Sequence, residues 1–496
     1  RHAGAVYAAN GIHVHISPDD STRYLATPEL SFTIRHLQCH GGLNVSASHN
    51  PPDDNGGKFY DDRGGQPVPP EDQLMSDLVD EVTTIKTIPW ADAVRTGKVH
   101  WLDESVHRAY IDLCKRQSLM PAPKFDEIRV VYTPLHGVGG TQAFEVLEQT
   151  GFRPIPVESQ MTPDGQFTNV TKAPNPEVPE SMDRAIALAQ ERDADLVLAT
   201  DPDADRIGGA AADGHGGFRV LTGNEIGALL THFKLTQLTA LHRLPQSPVV
   251  VTTEVTTRLI TRIGHQFGAQ VVNNLLVGFK FIADVLWHLE STGRYEDVTG
   301  TPADFIIGTE ESYGVMAMPQ VRDKDAGAAA LLLAELALDC KRRGVTVGQH
   351  LDAIYRQFGY FKSALENIVM TGIEGKQNMA KMLDKLRSSP PAEIGGLPVT
   401  RFEDLRDPNG RMGPLKGATD AAGRNVLLFQ LGENARIALR PSGTEPKAKA
   451  YVEACSAPCK PGTSVHKWVG VCRAVDETAA RLAAEFRKMA LATVGA

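Results

Sequence analysis

The chain has 496 residues, 42% of them hydrophobic and 22% charged, with a net charge of −9. That length is too great for one hydrophobic core and predicts about three or four domains, while the composition excludes a disordered or fibrous chain. The acidic balance argues against a general affinity for nucleic acid or anionic membranes; a local basic pocket for a small anionic substrate is compatible with it.

The chain opens at Arg1 instead of an initiator Met, and RHAGAVYAANG reads as if entered partway through a helix, so an amino-terminal part is expected to be missing. Short apolar and helical segments alternate over the first hundred residues, the pattern of an α/β unit. Within them the strand-like run before NVSASHNPP breaks into a polar turn at Ser46–Asn50. After Pro67, Pro69 and Pro70, the segment QLMSDLVDEV spaces Leu74, Leu78 and Val82 as a helix does. A further helix is predicted around Asp103–Gln117, and Pro121–Lys124 then breaks the chain.

The β run IRVVYTPLHGVGG from Ile128 opens a second unit. It continues with a helix from about Pro179 to Arg192, the apolar strand DLVLAT, an acidic loop and the strand IGGAAA. Residues 222–345 repeat the alternation: a helix from Asn224, the strand VVVTT from Val249, a helix from Thr256, the strand DFIIG, and a long helix after Lys324 ending in KRRG. The apolar run from Ala326 is too short to span a bilayer and contains Glu335, so it reads as a buried helix. From about residue 346 the composition changes. A break near Ser388, the strands NVLLFQL and RIALR, and the closing helix AVDETAARLAAEFRKMA predict a smaller α+β domain. Three successive α/β units imply structural repetition without an obvious sequence repeat. Six cysteines (Cys39, Cys114, Cys340, Cys455, Cys459 and Cys472) show no framework spacing, which predicts reduced thiols and a cytoplasmic compartment. Cys455 and Cys459 lack a matching second pair and read as free thiols, not a metal clip.

Four loops stand out. In Asp201-Pro202-Asp203-Ala204-Asp205-Arg206 the alternating carboxylates can turn inward to offer hard oxygen ligands, with Mg²⁺ the natural cation. An EF-hand fails here, because its sixth and twelfth positions hold Arg206 and Ala212. A solvated acidic turn is the competing reading; three crowded carboxylates after an apolar strand repel one another unless a cation offsets them. Ser48 ends an apolar run, where a loop can present a hydroxyl, yet such a serine alone is usually a turn residue. In Gly308–Gly314, Glu310, Glu311 and Ser312 bundle acceptors and a donor suited to a polyol, although in isolation an exposed acidic turn is the better reading. In RPSGTEP, Arg440, Ser442, Gly443 and Thr444 combine a guanidinium fork, hydroxyls and close backbone approach, which makes either a phosphate pocket or a structural turn. Together these loops imply phosphoryl transfer on a sugar phosphate. The chain has no Walker A sequence and no kinase glycine-rich loop, which argues against ATP as donor, so the phosphate comes from the protein or the substrate.

SASHNPPDDNGGKFY, TPLHGVGG, DPDADR, VGFKFI, GTEESYG and RPSGTEP, in this order, resemble the α-D-phosphohexomutase superfamily, in particular its phosphoglucomutase and phosphomannomutase members. The resemblance spans nearly the whole chain. It implies three similar α/β domains with mixed sheets plus a carboxy-terminal α+β domain of TATA-binding-protein-like fold around a central cleft. On that pattern residues 1–110 form an amino-terminally incomplete phosphoserine-loop domain, 111–220 a metal-loop domain, 221–345 a sugar-binding-loop domain and 346–496 a phosphate-binding domain.

By the same resemblance Ser48 is the phosphoserine, with His49 beside it, and Asp201, Asp203 and Asp205 bind Mg²⁺ together with a phosphoserine oxygen. Arg206 helps hold the phosphoryl group and Lys58 takes part in proton transfer. Glu310 and Ser312 read the sugar hydroxyls, Arg440, Ser442, Gly443 and Thr444 grip the unreacting phosphate, and Lys280 is a further substrate contact. The implied reaction moves a phosphoryl group between the 1- and 6-positions of a hexose through a hexose 1,6-bisphosphate. Glucose is the leading sugar, from the Glu-Glu-Ser form of the loop. Phosphomannomutase, phosphopentomutase and a non-catalytic phosphosugar-binding protein are the alternatives, with no nucleic acid, membrane or obligate protein partner implied.

Overall fold

The computed structural model describes residues 1–124, 126–370, 373–442 and 447–494. Its first unit holds two small sheets. Val14–Ile16 pairs in parallel with Val99–Trp101, and Gly41–Val45 pairs antiparallel with Gly57–Asp61, with Asn44 opposite Lys58. The helix Thr27–His36 packs on that hairpin and buries Phe32 and Ile34. QLMSDLVDEV does form a helix, Glu71–Asp80, but Leu74, Leu78 and Val82 are 60%, 54% and 58% exposed. Its polar side is the one that packs: Asp72 accepts from Lys280 Nζ at 2.7 Å and from Thr419 Oγ1 at 2.8 Å. Helical spacing reports a face, and here long-range polar partners decide which face is used.

The second unit is a five-stranded mixed sheet in the order Ile155–Pro156, Val130–Thr133, Leu196–Thr200, Ile207–Ala212, Phe218–Leu221. The first three strands are parallel and the last two antiparallel. Leu196–Thr200 is buried along its whole length, as expected of a central strand covered on both faces. The third unit repeats this plan without repeating the sequence: Gln270–Leu275, Val249–Thr253 and Phe305–Thr309 are parallel, and Val315–Met316 returns antiparallel. One continuous core joins the two units, with Leu147, Leu196, Leu229, Val250, Ile260 and Leu332 in a single cluster. In both units the strand ahead of the antiparallel return ends at a candidate loop, Asp201 in one and Glu310 in the other.

The strands of the last unit form an antiparallel sheet in the order Phe361–Val369, Lys447–Cys455, Ala435–Pro441, Leu427–Leu431, Leu397–Asp404, Glu393–Ile394. The helices Ile373–Ser388 and Val465–Ala492 cover one face through Met382, Leu386, Leu482 and Phe486. The closing helix begins about two turns before AVDETAARLAAEFRKMA: Ser464 caps it by accepting from Lys467 N, and Trp468 buries its ring against the core of the preceding units. Among the described residues no helix is long and apolar enough to cross a membrane.

The long helix Ala326–Arg342 runs through the core and is capped by Asp325, which accepts from Gly327 N and Ala328 N. It buries Glu335, whose carboxylate accepts from Ser118 Oγ at 2.5 Å and Leu119 N at 2.9 Å. Burial raises the Glu335 pKa from 4.5 to about 7, the two hydrogen bonds opposing only part of the shift. An acid with a raised folded pKa favours the fold most while protonated, and that contribution is lost as pH climbs from about 4.5 through about 7. Glu335→Gln is therefore expected to match the parent near pH 5 and to exceed it by about 1–3 kcal/mol near pH 8, as read by denaturant unfolding at the two pH values.

Candidate active site

The strand Gly41–Val45 ends in a polar turn because Ser46 replaces a ladder partner: its Oγ accepts the Ser48 amide at 2.8 Å. Ser48 then adopts φ +52°, left-handed backbone that is disfavoured by about 1–3 kcal/mol for a non-glycine residue and that concentrates at functional sites. Its Oγ donates toward Asp201 Oδ2 at 3.0 Å and Asp203 Oδ1 at 3.1 Å, and His49 Nδ1 lies 3.1 Å away. Burial, reinforced by the nearby Arg206 charge, lowers the His49 pKa to about 4, so the ring is neutral at pH 7. The hairpin register puts Lys58 on the return strand, where Nζ reaches Asp203 Oδ2 at 2.8 Å and Asp205 Oδ2 at 3.2 Å. Burial opposes the Lys58 charge, and Asp205 and Asp203 outweigh it, raising the pKa above the ordinary lysine range.

Asp201, Asp203 and Asp205 follow the buried strand Leu196–Thr200 and are themselves buried, with ligand oxygens within 4.8 Å of one another. Alternation around the tight turn, with Ala204 at φ +54°, aims all three inward. Asp201 Oδ1 accepts the Asp205 and Arg206 amides at 3.1 and 3.0 Å, which closes the loop on itself. Asp205 Oδ1 is buried without a hydrogen-bond partner. Burial and the neighbouring Asp205 and Asp203 charges push the Asp201 carboxyl well above its usual range. Burial acts the same way on Asp205, but the Lys324, Lys58 and Arg206 cations outweigh it and hold that carboxyl low. An orphaned oxygen in a buried set of hard, mutually repelling ligands is what a divalent cation satisfies, and the residues present fit one.

The aspartate loop touches the Gly308–Gly314 loop directly: Ile207 N donates to Tyr313 O at 3.1 Å, and Arg206 bridges to Gly314. Arg206 also faces Glu177 at 3.6 Å, while its buried Nε makes no hydrogen bond and stands 3.9 Å from Asp205 Oδ1 and 4.0 Å from Asp201 Oδ2. Glu310 Oε1 accepts the Gly278 amide at 3.0 Å, so VGFKFI supports the carboxylate of the neighbouring loop. Burial raises the Glu310 pKa against the pull of Lys324 and Arg206, and burial together with the Glu310 charge raises Glu311 to about 7. Lys280 lies on the cleft wall with Nζ paired to Asp72.

His49, Arg206, Lys280, Glu310, Ser312 and Arg440 line one cleft of about 1000 Å³ between the units. Arg440 comes from the strand Ala435–Pro441 opposite Lys449, and the turn after it begins with Ser442 N donating to Lys447 O at 2.7 Å. Gly443 and Thr444 lie outside the described residues. Sequence reasoning missed Lys324 and Asp323. Lys324 Nζ reaches Asp205 Oδ2 at 3.2 Å and Asp323 Oδ1 at 3.0 Å, and Tyr60 donates to Asp323 Oδ2 at 2.7 Å. The signal was available in Arg322-Asp323-Lys324-Asp325, four consecutive charges before an apolar helix; all four are buried.

Models of phosphoglucomutase/phosphomannomutase α/β/α domains I, II and III match residues 1–86, 108–215 and 222–358, and the family's C-terminal domain matches 400–458. A phosphoglucomutase of Staphylococcus saprophyticus is 33% identical over 455 residues, covering 90% of this chain and 78% of the relative. One from Staphylococcus aureus is 34% identical over 432 residues, covering 86% and 75%. Among solved structures, the open form of Paramecium parafusin, a phosphoglucomutase, superposes with a TM-score of 0.65 at 16% identity, covering 98% of this chain and 84% of that one. All four domain models and the two relatives thus converge, and the chain belongs to the phosphoglucomutase/phosphomannomutase family of the α-D-phosphohexomutase superfamily.

Proposed function

We propose that the chain is a phosphoglucomutase that interconverts glucose 1-phosphate and glucose 6-phosphate through phosphorylated Ser48 and a glucose 1,6-bisphosphate intermediate. The observation that supports it most is the Ser48 hydroxyl within 3.1 Å of two aspartates of a buried triad, at the edge of a cleft shared with Glu310 and Arg440. The relatives named phosphoglucomutase favour glucose.

The sugar phosphate enters with its unreacting phosphate on Arg440, Ser442, Gly443 and Thr444 and its ring hydroxyls on Glu310 and Ser312. That grip leaves the free hydroxyl facing Ser48. As the P–O bond to Ser48 Oγ breaks and the P–O bond to the sugar forms, Lys58 gives a proton to Oγ and recovers one from the attacking hydroxyl. Arg206 and Lys324 hold the transferring oxygens against their own charge. Asp201, Asp203 and Asp205 would hold Mg²⁺ beside the phosphoserine, and the bound cation would supply further positive charge for the same purpose. The bisphosphate then turns over within the cleft, presents its other phosphate to Ser48, and returns it with the proton movements reversed. Lys280 takes part as a further phosphate contact when released from Asp72.

The test is a coupled assay on glucose, mannose and ribose 1-phosphates with catalytic hexose 1,6-bisphosphate and Mg²⁺. Glucose 1-phosphate is expected to give the highest kcat/KM; isomerisation of none of the three removes the proposal. Arg440→Ala is expected to lower kcat/KM for glucose 1-phosphate about 10–100-fold, mainly through KM, with Arg440→Lys recovering only part because it loses the bidentate fork. Steady-state kinetics of the two variants checks this.

A further inference from the structure

TPLHGVGG, residues 133–140, contributes no side chain to the cleft, yet its backbone is built against the aspartate loop. Leu135 and His136 take left-handed backbone, φ +48° and +64°. Three contacts hold them there. Leu135 N donates to Thr133 Oγ1 at 3.0 Å, Asn169 N donates to His136 Nε2 at 3.3 Å, and His136 Nδ1, left as the donor, meets the Thr162 carbonyl at 2.8 Å.

This turn delivers Val138 N to Pro202 O at 2.8 Å. A methyl group on Gly137 would stand 2.2 Å from Pro202 Cα and 2.4 Å from Pro202 O. Gly137 has φ −93° and ψ −164°, open to any residue, so space and not backbone angle demands glycine here. Gly139 makes a second close approach: its methyl would fall 2.2 Å from Tyr132 OH and 2.3 Å from Thr200 Oγ1, the residue before Asp201. The Pro202 backbone on one side of Asp201 and the Thr200 side chain on the other therefore both pack against this turn.

We propose that Gly137 and Val138 are positioning residues for the divalent-cation site of the proposed function: the 133–140 turn fixes Pro202, and through it the convergence of Asp201 and Asp203. Metal constellations need their ligands held to within about 0.5 Å, and the Gly137 contact leaves no room for a methyl unless Pro202 and the turn move apart by more than that.

Mn²⁺ binding to the full chain, measured by equilibrium dialysis, tests this. Gly137→Ala inserts the clash. Val138→Pro deletes one N–H at the first position of the 3₁₀ turn Val138–Thr141, where proline is tolerated, and serves if Gly137→Ala does not fold. Gly264→Ala is the control for general destabilisation, since its methyl clashes with the Val271 side chain at 2.7 Å and otherwise makes ordinary contacts with Ala269 and Val250 in the third unit. Asp201→Asn defines the blank. At least fivefold weaker Mn²⁺ binding is expected in the folded turn variant, with Gly264→Ala less stable yet within twofold of the parent. Weakening of less than fivefold overturns the inference, as does a Gly264→Ala loss equal to that of the turn variant. A parent that binds no more Mn²⁺ than Asp201→Asn overturns the cation site itself and the inference with it.

Discussion

Ser48→Ala is expected to lower the mutase rate at least about 10⁴-fold while leaving the fold intact. The side chain is part-buried and its Oγ lies within 3.1 Å of Asp201, Asp203 and His49, so alanine removes one small polar atom and leaves no packing void of consequence. The loss is chemical: without Oγ no covalent phosphoryl carrier exists, and the remaining groups can only bind the sugar and orient it. KM for glucose 1-phosphate should stay within a few-fold of the parent, because Glu310, Ser312 and Arg440 lie on other units. Coupled-assay turnover together with thermal melting separates loss of the nucleophile from loss of structure. Ser48→Thr is a sharper companion, since a β-branched residue at φ +52° is strained even though it keeps a hydroxyl.

Asp201→Asn should move activity and stability in opposite directions. Asn Oδ1 can keep the Asp205 and Arg206 amide bonds at 3.1 and 3.0 Å, so the loop retains its closure. What disappears is one cation ligand and one buried charge. The rate is expected to fall about 10³-fold, of the order seen when one preorganised electrostatic element is removed from a reacting centre. The Asp201 carboxyl is raised by burial first and then by Asp205 and Asp203, so its ionised form opposes folding. The metal-free variant is therefore expected to be about 0.5–2 kcal/mol more stable than the metal-free parent near pH 7. For such a raised group the parent is best off below the unfolded value of 3.8 and loses ground as pH rises, so the advantage of the variant should shrink on acidification. Unfolding in a chelator at several pH values, beside turnover in saturating Mg²⁺, measures both halves. A variant less stable than the parent without metal would mean that the triad is not under repulsion.

Much of this site was legible because its loops follow apolar strands whose ends can be read from composition. Leu196–Thr200 and Phe305–Thr309 are unmistakable buried strands, and the loops after them supply Arg206, Glu310, Glu311 and Ser312 to the cleft. The α/β character of the second and third units follows from the same alternation, whereas their mixed sheets were implied only by the family resemblance. Partners distant in sequence were not legible. Lys280 faces Asp72 across 208 positions, and Tyr60 meets Asp323 across 263, and neither pairing leaves a local trace. Lys324 reads locally as a charged helix start, and only burial beside Asp205 shows that its ammonium belongs to the site. The Leu74 and Leu78 spacing gave the helix but not its packing: periodicity is a local property, whereas burial depends on what the rest of the chain brings to that face.

Intact-mass spectrometry with peptide mapping of the purified chain, before and after exposure to sugar phosphate, tests the covalent carrier most directly. One phosphate mapped to Ser48, lost on incubation with glucose 1-phosphate and restored by glucose 1,6-bisphosphate, is the expected result. Turnover by a chain whose Ser48 is never phosphorylated, or whose exchangeable phosphate maps to another residue, would contradict it.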